Sequence, residues 1–150
     1  MKIVIGYGRE IVKLTKIWTN GCFDILHRGH IELFKYARSL GNEVTVGVDS
    51  DRKVMKDKSL YRPINNLEDR IEMLKAIRYI DRIVYFDSSD ELECLIKNYN
   101  PDVIVVGSDW KGKGVIGEKY AKEVKSFDRI KEYSTTKIVN DVKMILRQLI

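Results

Sequence analysis

The two histidines of this chain, His27 and His30, lie three positions apart in the segment His27-Arg28-Gly29-His30. Residues at this spacing are about one helical turn apart, so both rings can project from the first turn of a helix toward one point. The unpaired N–H groups and the positive dipole at a helix N-terminus favour an anion there, and Gly29 lets a ligand approach the backbone. The motif therefore predicts a phosphate site with two imidazole donors.

The same two histidines bear on the type of reaction. Because the chain has no other histidine, none remains to activate a serine or cysteine as a nucleophile elsewhere. We therefore expect direct in-line transfer at a phosphorus atom, without a covalent intermediate. In such a reaction the protein mainly positions the reactants and stabilises the spreading negative charge.

Composition narrows the class of protein. A chain of 150 residues with 44% hydrophobic and 33% charged residues matches one soluble globular domain. The net charge of +5 is dispersed among acids, which favours an enzyme with polyphosphate substrates over a nucleic-acid binder. Cys22 and Cys94 lie far apart, and no cluster of metal ligands is evident. Neither a signal peptide nor a membrane-spanning run is apparent, so we expect a cytoplasmic protein without membrane contact.

Strand and helix patterns alternate along the chain. Apolar, β-branched runs predict strands at residues 16–19, 44–48, 82–86 and 103–106. Apolar stripes predict helices around residues 33–40, 67–77, 90–98 and 135–149, the first ending at Gly41 and the last capped by Ser134. This alternation predicts an α/β fold, a single Rossmann-like doubly wound domain with a parallel sheet and helices on both faces.

Three predicted strands run into polar or glycine-bearing segments, which begin at Asn20, Asp49 and Gly107. In doubly wound folds, ligands bind beyond the carboxyl ends of the strands. The three segments should therefore converge on one crevice.

Two motifs more than a hundred residues apart resemble one family. The segment from Asn20 to His30, Asn-Gly-Cys-Phe-Asp-Ile-Leu-His-Arg-Gly-His, and the segment from Ser134 to Ile138, Ser-Thr-Thr-Lys-Ile, resemble those of the cytidylyltransferase-like nucleotidyltransferases. The resemblance runs from about residue 16 to 138, which leaves residues 1–15 as an N-terminal extension. It implies transfer of a nucleoside monophosphate from a nucleoside triphosphate to a phosphorylated small molecule, with release of pyrophosphate.

The resemblance also implies residue roles. His27 and His30 would bind the triphosphate and stabilise the transition state, and Arg129 with Ser134, Thr135 and Thr136 would bind its outer phosphates. Lys56 or Lys58, in a predicted flexible loop from Asp51 to Pro63, would close over the phosphates, although either is equally well read as an ordinary loop lysine. Asp24 would order its own loop. The implied nucleotide-binding residues are Asn20, Gly21, Cys22, Phe23, Gly29, Asp109 and Trp110.

Three of these residues have alternative interpretations. Arg62 and Arg70 would contact phosphate or the acceptor, yet each could instead form a structural ion pair with Glu68 or Asp69. Trp110 either stacks near the base or caps the sheet.

The substrate is less determined than the chemistry. Asp109 to Lys113, together with Arg129, resembles glycerol-3-phosphate cytidylyltransferase, and on these residues we favour transfer of CMP from CTP to a polyol or sugar phosphate. Residues 19–24, 62–65 and 115–118 resemble the heptose-phosphate adenylyltransferases instead, which implies ATP and a heptose 1-phosphate-like acceptor. In either case the acceptor would be destined for cell-envelope material. A non-catalytic nucleotide-binding or RNA-binding module is the alternative of another class.

Two further expectations concern cofactor and assembly. Mg²⁺ would accompany the triphosphate, with the phosphates supplying its ligands, because the chain shows no dedicated cage of acids. The family resemblance also implies a homodimer, with residues 78–81 as the predicted contact.

Overall fold

A five-stranded parallel sheet forms the body of the protein. The computed structural model describes residues 3–5, 9–11, 13–130 and 132–149. A short antiparallel hairpin, β1 (Ile3–Ile5) and β2 (Arg9–Ile11), precedes the sheet. The parallel strands are β3 (Lys16–Gly21), β4 (Glu43–Asp49), β5 (Arg82–Phe86), β6 (Val103–Gly107) and β7 (Glu123–Phe127), in the spatial order β5-β4-β3-β6-β7.

Among the described residues, five α-helices connect or follow these strands: α1 (Arg28–Leu40), α2 (Asp51–Asp57), α3 (Leu67–Lys75), α4 (Ser89–Tyr99) and α5 (Thr135–Leu149). Their starts follow ordinary capping chemistry. Ser50, Asn66 and Ser88 each accept a hydrogen bond from the backbone N–H three residues further on. Gly41 ends α1, as predicted.

The core lies on both faces of the sheet because alternate strand residues point in opposite directions. Ile17 packs with Phe34 of α1 and Leu74 of α3 on one face. Trp18, the next residue, packs with Leu92 and Ile96 of α4 on the other. The predicted Rossmann-like fold with helices on both faces is therefore confirmed.

Besides the hairpin β1–β2, which was not predicted, two elements after residue 15 differ from the prediction. Residues 51–57, predicted as part of a flexible loop, form helix α2, which buries only Val54 among its seven residues and so leaves a weak apolar signal. Strand β7 was not predicted. It lies at the edge of the sheet with the sequence Glu-Val-Lys-Ser-Phe, whose charged residues are tolerated there because one side of the strand faces solvent.

The strand order defines where a ligand site belongs. The chain proceeds from β3 outward to β4 and β5, then crosses to β6 and β7 on the other side of β3. The crevice beyond the carboxyl ends of β3 and β6 is thus the point where the winding reverses, which is where doubly wound folds bind ligands. Two of the three segments predicted to converge, those after β3 and β6, flank this crevice, and the third follows the neighbouring strand β4.

Within the part of the chain that the structure describes, no helix combines the length and the apolar character needed to span a bilayer.

Candidate functional site

The two histidines form a stacked pair at the start of α1. Their ring centroids are 3.8 Å apart with an interplanar angle of 21°. His27 is the residue just before the first helical turn, where a helix cap lies, and His30 is the third helical residue. The sequence placed both rings in the first turn, so the prediction was wrong for His27 by one position. The expected proximity of the rings is nevertheless present.

Hydrogen bonding and burial set the ionisation of this pair. Nδ1 of His30 accepts the backbone N–H of His27 at 3.4 Å, so a neutral His30 carries its proton on Nε2, where it can be donated to a ligand. Burial, followed by the charges of His27, Arg129 and Lys58, lowers the pKa of His30 to about 3. Burial and the charge of Arg129 also lower the pKa of His27. The pair therefore offers neutral imidazole donors near pH 7.

One atom of the pair remains without a partner. Nδ1 of His27 is buried and has no hydrogen-bond partner among the described residues. Since buried polar atoms are nearly always hydrogen-bonded, such an atom beside a crevice is a feature typical of a ligand site.

Asp24 holds together the segments around the histidines. Its fully buried carboxylate accepts hydrogen bonds from the backbone N–H of Ile64 at 2.7 Å and of Asn65 at 2.9 Å, and from Nε of Arg62 at 3.1 Å. Its carbonyl oxygen accepts the hydroxyl of Thr135 at 3.1 Å. Burial by itself would raise the pKa of Asp24, but these N–H donors and the Arg62 charge hold the pKa below its usual value. The structure thus agrees with the predicted ordering role.

The backbone on either side of Asp24 is strained. Phe23 and Ile25 have φ angles of 49° and 50°, in the left-handed region that non-glycine residues rarely adopt. Each such residue costs about 1–3 kcal/mol and persists only where the surroundings fix it. The hydrogen bonds of Asp24 provide that fixation, and strain of this kind is concentrated at functional sites.

The start of α5 lies against the start of α1. The hydroxyl oxygen of Ser134 accepts the backbone N–H of Lys137 at 3.1 Å, so Ser134 caps α5 as predicted. A Cβ added to Gly29 would lie 2.9 Å from the His27 ring and 3.2 Å from Cβ of Tyr133. The protein's own packing therefore already requires the small size of Gly29, and the predicted approach of a ligand to its backbone stays a prediction. Two helix N-termini meet at the site, and both favour an anion.

Arg129 brings a cation to the same place. Its guanidinium contacts the carboxylate of Asp109 at 3.2 Å, and its backbone N–H donates to the hydroxyl of Ser108 at 3.3 Å. These contacts join Arg129 to the loop that follows β6. Because the charge of Arg129 lowers the pKa of both histidines, the guanidinium lies within electrostatic reach of the pair.

The structure distinguishes the two candidate lysines. The charge of Lys58, the residue at the end of α2, contributes to the lowered pKa of His30. Lys56 is exposed and has no described effect on either histidine. The charge of Lys58 therefore reaches the histidine site, and the role of either lysine at the phosphates stays a prediction.

Arg70 does not face the crevice. Its side chain is fully buried, and its guanidinium donates to the carbonyl oxygens of Cys22 at 2.6 Å and Asn65 at 3.0 Å and to the carboxylate of Asp51 at 2.7 Å. The predicted contact with phosphate or acceptor is wrong, because protein groups enclose the guanidinium. The alternative of an ion pair was the better one, although the partner is Asp51 and not Glu68 or Asp69.

Arg62 likewise forms a structural pair, here with Asp24, while about a fifth of its side chain remains exposed. An acceptor contact is therefore still open to Arg62, but its main described partner is Asp24.

Two side chains assigned to the nucleotide pocket belong to the interior instead. Cys22 and Phe23 are buried, and the Phe23 ring packs edge-on against His30 with a centroid distance of 5.4 Å. That these two residues bind the nucleotide stays a prediction, and their buried side chains leave their backbone groups for such a contact. Phe23 supports His30 from the core side. Burial also raises the pKa of the Cys22 thiol, which therefore stays protonated near pH 7.

The remaining candidates lie around this centre. Asn20 and Gly21 end β3 beside the crevice, and the Asn20 side chain accepts the indole N–H of Trp18 at 2.9 Å. Trp110 is half exposed, and its one described ring contact is with Lys113, 5.9 Å from the ring centroid. Thr136 is exposed in the first turn of α5.

Sequence reasoning missed two supporting residues. Tyr133 packs beside Gly29, and Asp51 neutralises Arg70. Tyr133 directly precedes the second motif, which is a usable signal. No signal in the sequence marked Asp51, because its partner Arg70 is 19 positions away on another helix.

No three or more His, Cys, Asp or Glu side chains lie close enough to hold a metal ion among the residues that the structure describes.

The protein has a parallel sheet, and helix N-termini, imidazoles and cations lie together where the winding of the sheet reverses. These features define a nucleotide-binding α/β domain. This chain belongs to the cytidylyltransferase-like family, whose model matches residues 18–141. It is accordingly a nucleotidyltransferase of that family.

Relatives with similar sequences include two proteins named bifunctional protein HldE. The one from Campylobacter fetus subsp. fetus is 41% identical over 149 residues, covering 92% of this chain and 32% of the relative. The one from Sulfurimonas denitrificans is 42% identical over 127 residues, covering 85% of this chain and 26% of the relative. The chain thus spans a third or less of the length of these relatives.

Solved structures agree on the fold. The lipopolysaccharide core biosynthesis protein from Thermoplasma volcanium GSS1 superposes with a TM-score of 0.62 at 25% identity, covering 78% of this chain and 97% of that chain. Pantoate-beta-alanine ligase from Francisella tularensis has a TM-score of 0.56 at 17% identity, covering 91% and 73%, and shows likeness of fold alone.

Proposed function

We propose that this chain transfers AMP from ATP to a heptose 1-phosphate-like sugar phosphate and releases pyrophosphate. An oxygen of the acceptor phosphate would attack the α-phosphorus of ATP while the bond from that phosphorus to the bridging oxygen of pyrophosphate breaks. Negative charge then moves onto the leaving pyrophosphate. The observation that carries the proposal is the stacked, neutral His27–His30 pair at a site where two helix N-termini meet.

Each part of the site has a task in this reaction. Nε2–H of His30 and the ring of His27 would donate to the triphosphate. Arg129 and Lys58 would balance the charge of the outer phosphates, with the α5 start and Ser134 beside them. Removing one such donor typically costs about 100- to 1000-fold in rate.

The preference for ATP departs from the prediction made on sequence, which favoured CTP and a glycerol-3-phosphate-like acceptor. Relatives named HldE support the adenylyltransferase alternative. Two of the residues that suggested CTP, Asp109 and Arg129, pair with each other, so this contact does not by itself favour one base over another. The name of the Thermoplasma volcanium protein supports a role in cell-envelope sugar synthesis.

Mg²⁺ would bind together with the nucleoside triphosphate. Triphosphate oxygens and water are the ligands that Mg²⁺ prefers, and the ion would neutralise charge on the leaving pyrophosphate. The residues of this chain would bind and orient the phosphates that coordinate the ion.

Pyrophosphate release tests the proposal. Wild-type protein is incubated with ATP or CTP and with a panel of heptose 1-phosphates, other sugar phosphates and glycerol 3-phosphate. We expect release with ATP and a sugar 1-phosphate, lost in His30→Ala. Release with CTP and glycerol 3-phosphate alone would restore the cytidylyltransferase alternative. No turnover with any pair, alongside tight RNA binding, would favour a non-catalytic module.

A further inference from the structure

A carboxylate that the proposed reaction does not yet use lies at the end of β4. Asp49 is the last residue of this strand and begins the third segment that the sequence placed near the crevice. Its side chain is 18% exposed. Among the described residues its one charged partner is Lys53, whose Nζ lies 3.5 Å from Oδ1, and no hydrogen bond from them reaches Oδ2. Asp49 thus keeps a carboxylate oxygen for another donor.

Asp49 points to the face of the sheet opposite to α1. A Cβ added to Gly47, two residues before it, would lie 2.8 Å from the Trp18 ring and 3.1 Å from Cβ of Asn20. Residues two apart on a strand point to the same face. Asp49 and Asn20 therefore share the face of Trp18, at the carboxyl ends of neighbouring strands. Helix α1 packs on the other face, against Ile17.

The charge of Lys58 connects Asp49 with the histidine site. Burial raises the pKa of Asp49, while the charge of Lys53 and, to a lesser degree, that of Lys58 oppose this shift. The charge of Lys58 also contributes to the lowered pKa of His30. One ammonium group thus lies within electrostatic reach of both the carboxylate and the imidazole, which places Asp49 in the surroundings of the crevice.

An ion pair with Lys53 does not by itself explain the position of Asp49. Lys53 also donates to the carboxylate of Asp57, and its Nζ lies 5.8 Å from the centroid of the Phe86 ring. Lys53 therefore has a partner within α2 and does not need Asp49 for one. The Asp57 side chain is 49% exposed, whereas that of Asp49 is largely removed from water. Burial of an oxygen without a partner is unfavourable unless a ligand supplies the donor.

In-line transfer restricts where the acceptor can bind. The attacking oxygen and the leaving pyrophosphate lie on opposite sides of the α-phosphorus. The starts of α1 and α5, which would hold the pyrophosphate, lie together on one side of the crevice. The acceptor must then approach from the other side, where the side chains of Asn20 and Asp49 lie.

We propose that Asp49 binds hydroxyl groups of the acceptor and so selects polyhydroxylated phosphates. A carboxylate can accept hydrogen bonds from two neighbouring hydroxyls of a sugar or polyol. The side-chain oxygen of Asn20 accepts the indole N–H of Trp18, which leaves its NH₂ group to donate to the same hydroxyls. Asp49 has this role only if transfer to a hydroxylated acceptor takes place, so the inference rests on the proposed function.

Acceptor kinetics of Asp49→Asn test the proposal. Pyrophosphate release is measured with the acceptor phosphate that the wild type turns over fastest, and with analogues in which one hydroxyl is replaced by hydrogen. Asp57→Asn is the matched control, because Asp57 shares the partner Lys53 but is half exposed. Asp49→Ser is a second variant, and urea unfolding verifies that each variant is folded.

We expect Asp49→Asn to lower kcat/KM for the hydroxylated acceptor by roughly 10- to 100-fold, the usual effect of losing a hydrogen bond to a charged group. One of the deoxy analogues should react equally well with wild type and variant, because it lacks the hydroxyl that Asp49 binds. The KM for the triphosphate should change little in Asp49→Asn, and Asp57→Asn should keep the kinetics of the wild type.

Equal losses with the hydroxylated acceptor and with every analogue would overturn the proposal, because Asp49 would then only support the fold. So would a matching loss in Asp57→Asn, or the failure of both Asp49 variants to fold. The same comparison applies if the wild type uses CTP and glycerol 3-phosphate, so the adenylyltransferase assignment can fail while Asp49 keeps its role. A wild type that turns over no hydroxylated phosphate would contradict both.

Discussion

Replacing Asp24 with asparagine removes the charge from the group that ties the site together. The carboxylate accepts three hydrogen bonds, from Ile64, Asn65 and Arg62, and is fully buried. The single oxygen of an amide cannot serve all three donors, and its NH₂ group would face one of them. Breaking a buried pair of this type costs about 3–5 kcal/mol. We expect the lower end, about 3 kcal/mol, because part of Arg62 can be solvated.

Urea unfolding monitored by circular dichroism measures this loss. Asp90→Asn is the matched control, since Asp90 is exposed in the first turn of α4 and its charge is worth about 0.3–1 kcal/mol there. The Asp24 variant should remain folded, because domains of this kind have about 5–15 kcal/mol of stability. It should nevertheless bind ATP more weakly, since the loop of residues 62–65 loses its tie to the segment that precedes the histidines.

The pH dependence checks the electrostatic reasoning. The pKa of Asp24 is lowered in the folded state, so its contribution is present above the unfolded pKa of about 3.9 and is lost as the pH falls through the folded pKa. The advantage of wild type over the variant should thus be constant from pH 5 to 8 and shrink below about pH 4. A loss under 1 kcal/mol at pH 7, or an advantage that vanishes above pH 5, would refute the assigned role.

Three other predictions concern the histidines, the lysines and the metal. His30, with its pKa lowered to about 3, should stay neutral in an NMR titration from pH 8 to 5, and titration near pH 6.5 would contradict this. Because His30 of the unfolded chain takes up a proton below about pH 6.5, the free energy of unfolding should fall from that pH toward pH 3. Lys58→Ala should raise the KM for the triphosphate at least ~10-fold, as loss of a charged phosphate contact does, while Lys56→Ala should change it little; the reverse order in steady-state kinetics would reject the assignment. A chelator should abolish pyrophosphate release and added Mg²⁺ restore it, and activity undiminished by the chelator would rule out the metal.

Elements with strong apolar periodicity could be predicted from the sequence. The strand of residues 82–86 was predicted with the observed bounds, and Gly41 ends α1 as expected. Helix α2 was not predicted, because a seven-residue segment that buries one side chain has almost no amphipathic pattern. Strand β7 was not predicted, because an edge strand tolerates charged residues and its sequence then resembles that of a solvated surface segment.

The site was predictable in its location but not in all its roles. The histidine motif and Ser134 mark helix starts, a local property that the sequence carries. Arg70 is different, because its neighbours Glu68 and Asp69 suggested a local partner, while the fold supplies Asp51 from another helix. The choice between Lys56 and Lys58 likewise depends on where α2 ends, which a single sequence does not reveal.

The transition-state role of the histidine pair is tested most directly by His27→Ala, with kcat and the Kd for ATP measured on the same preparation. If the contact of this ring with phosphate strengthens as pyrophosphate leaves, kcat should fall by about 100- to 1000-fold, at least as much as ATP binding weakens. An unchanged kcat with a weakened Kd would contradict this account, because His27 would then only bind the nucleotide.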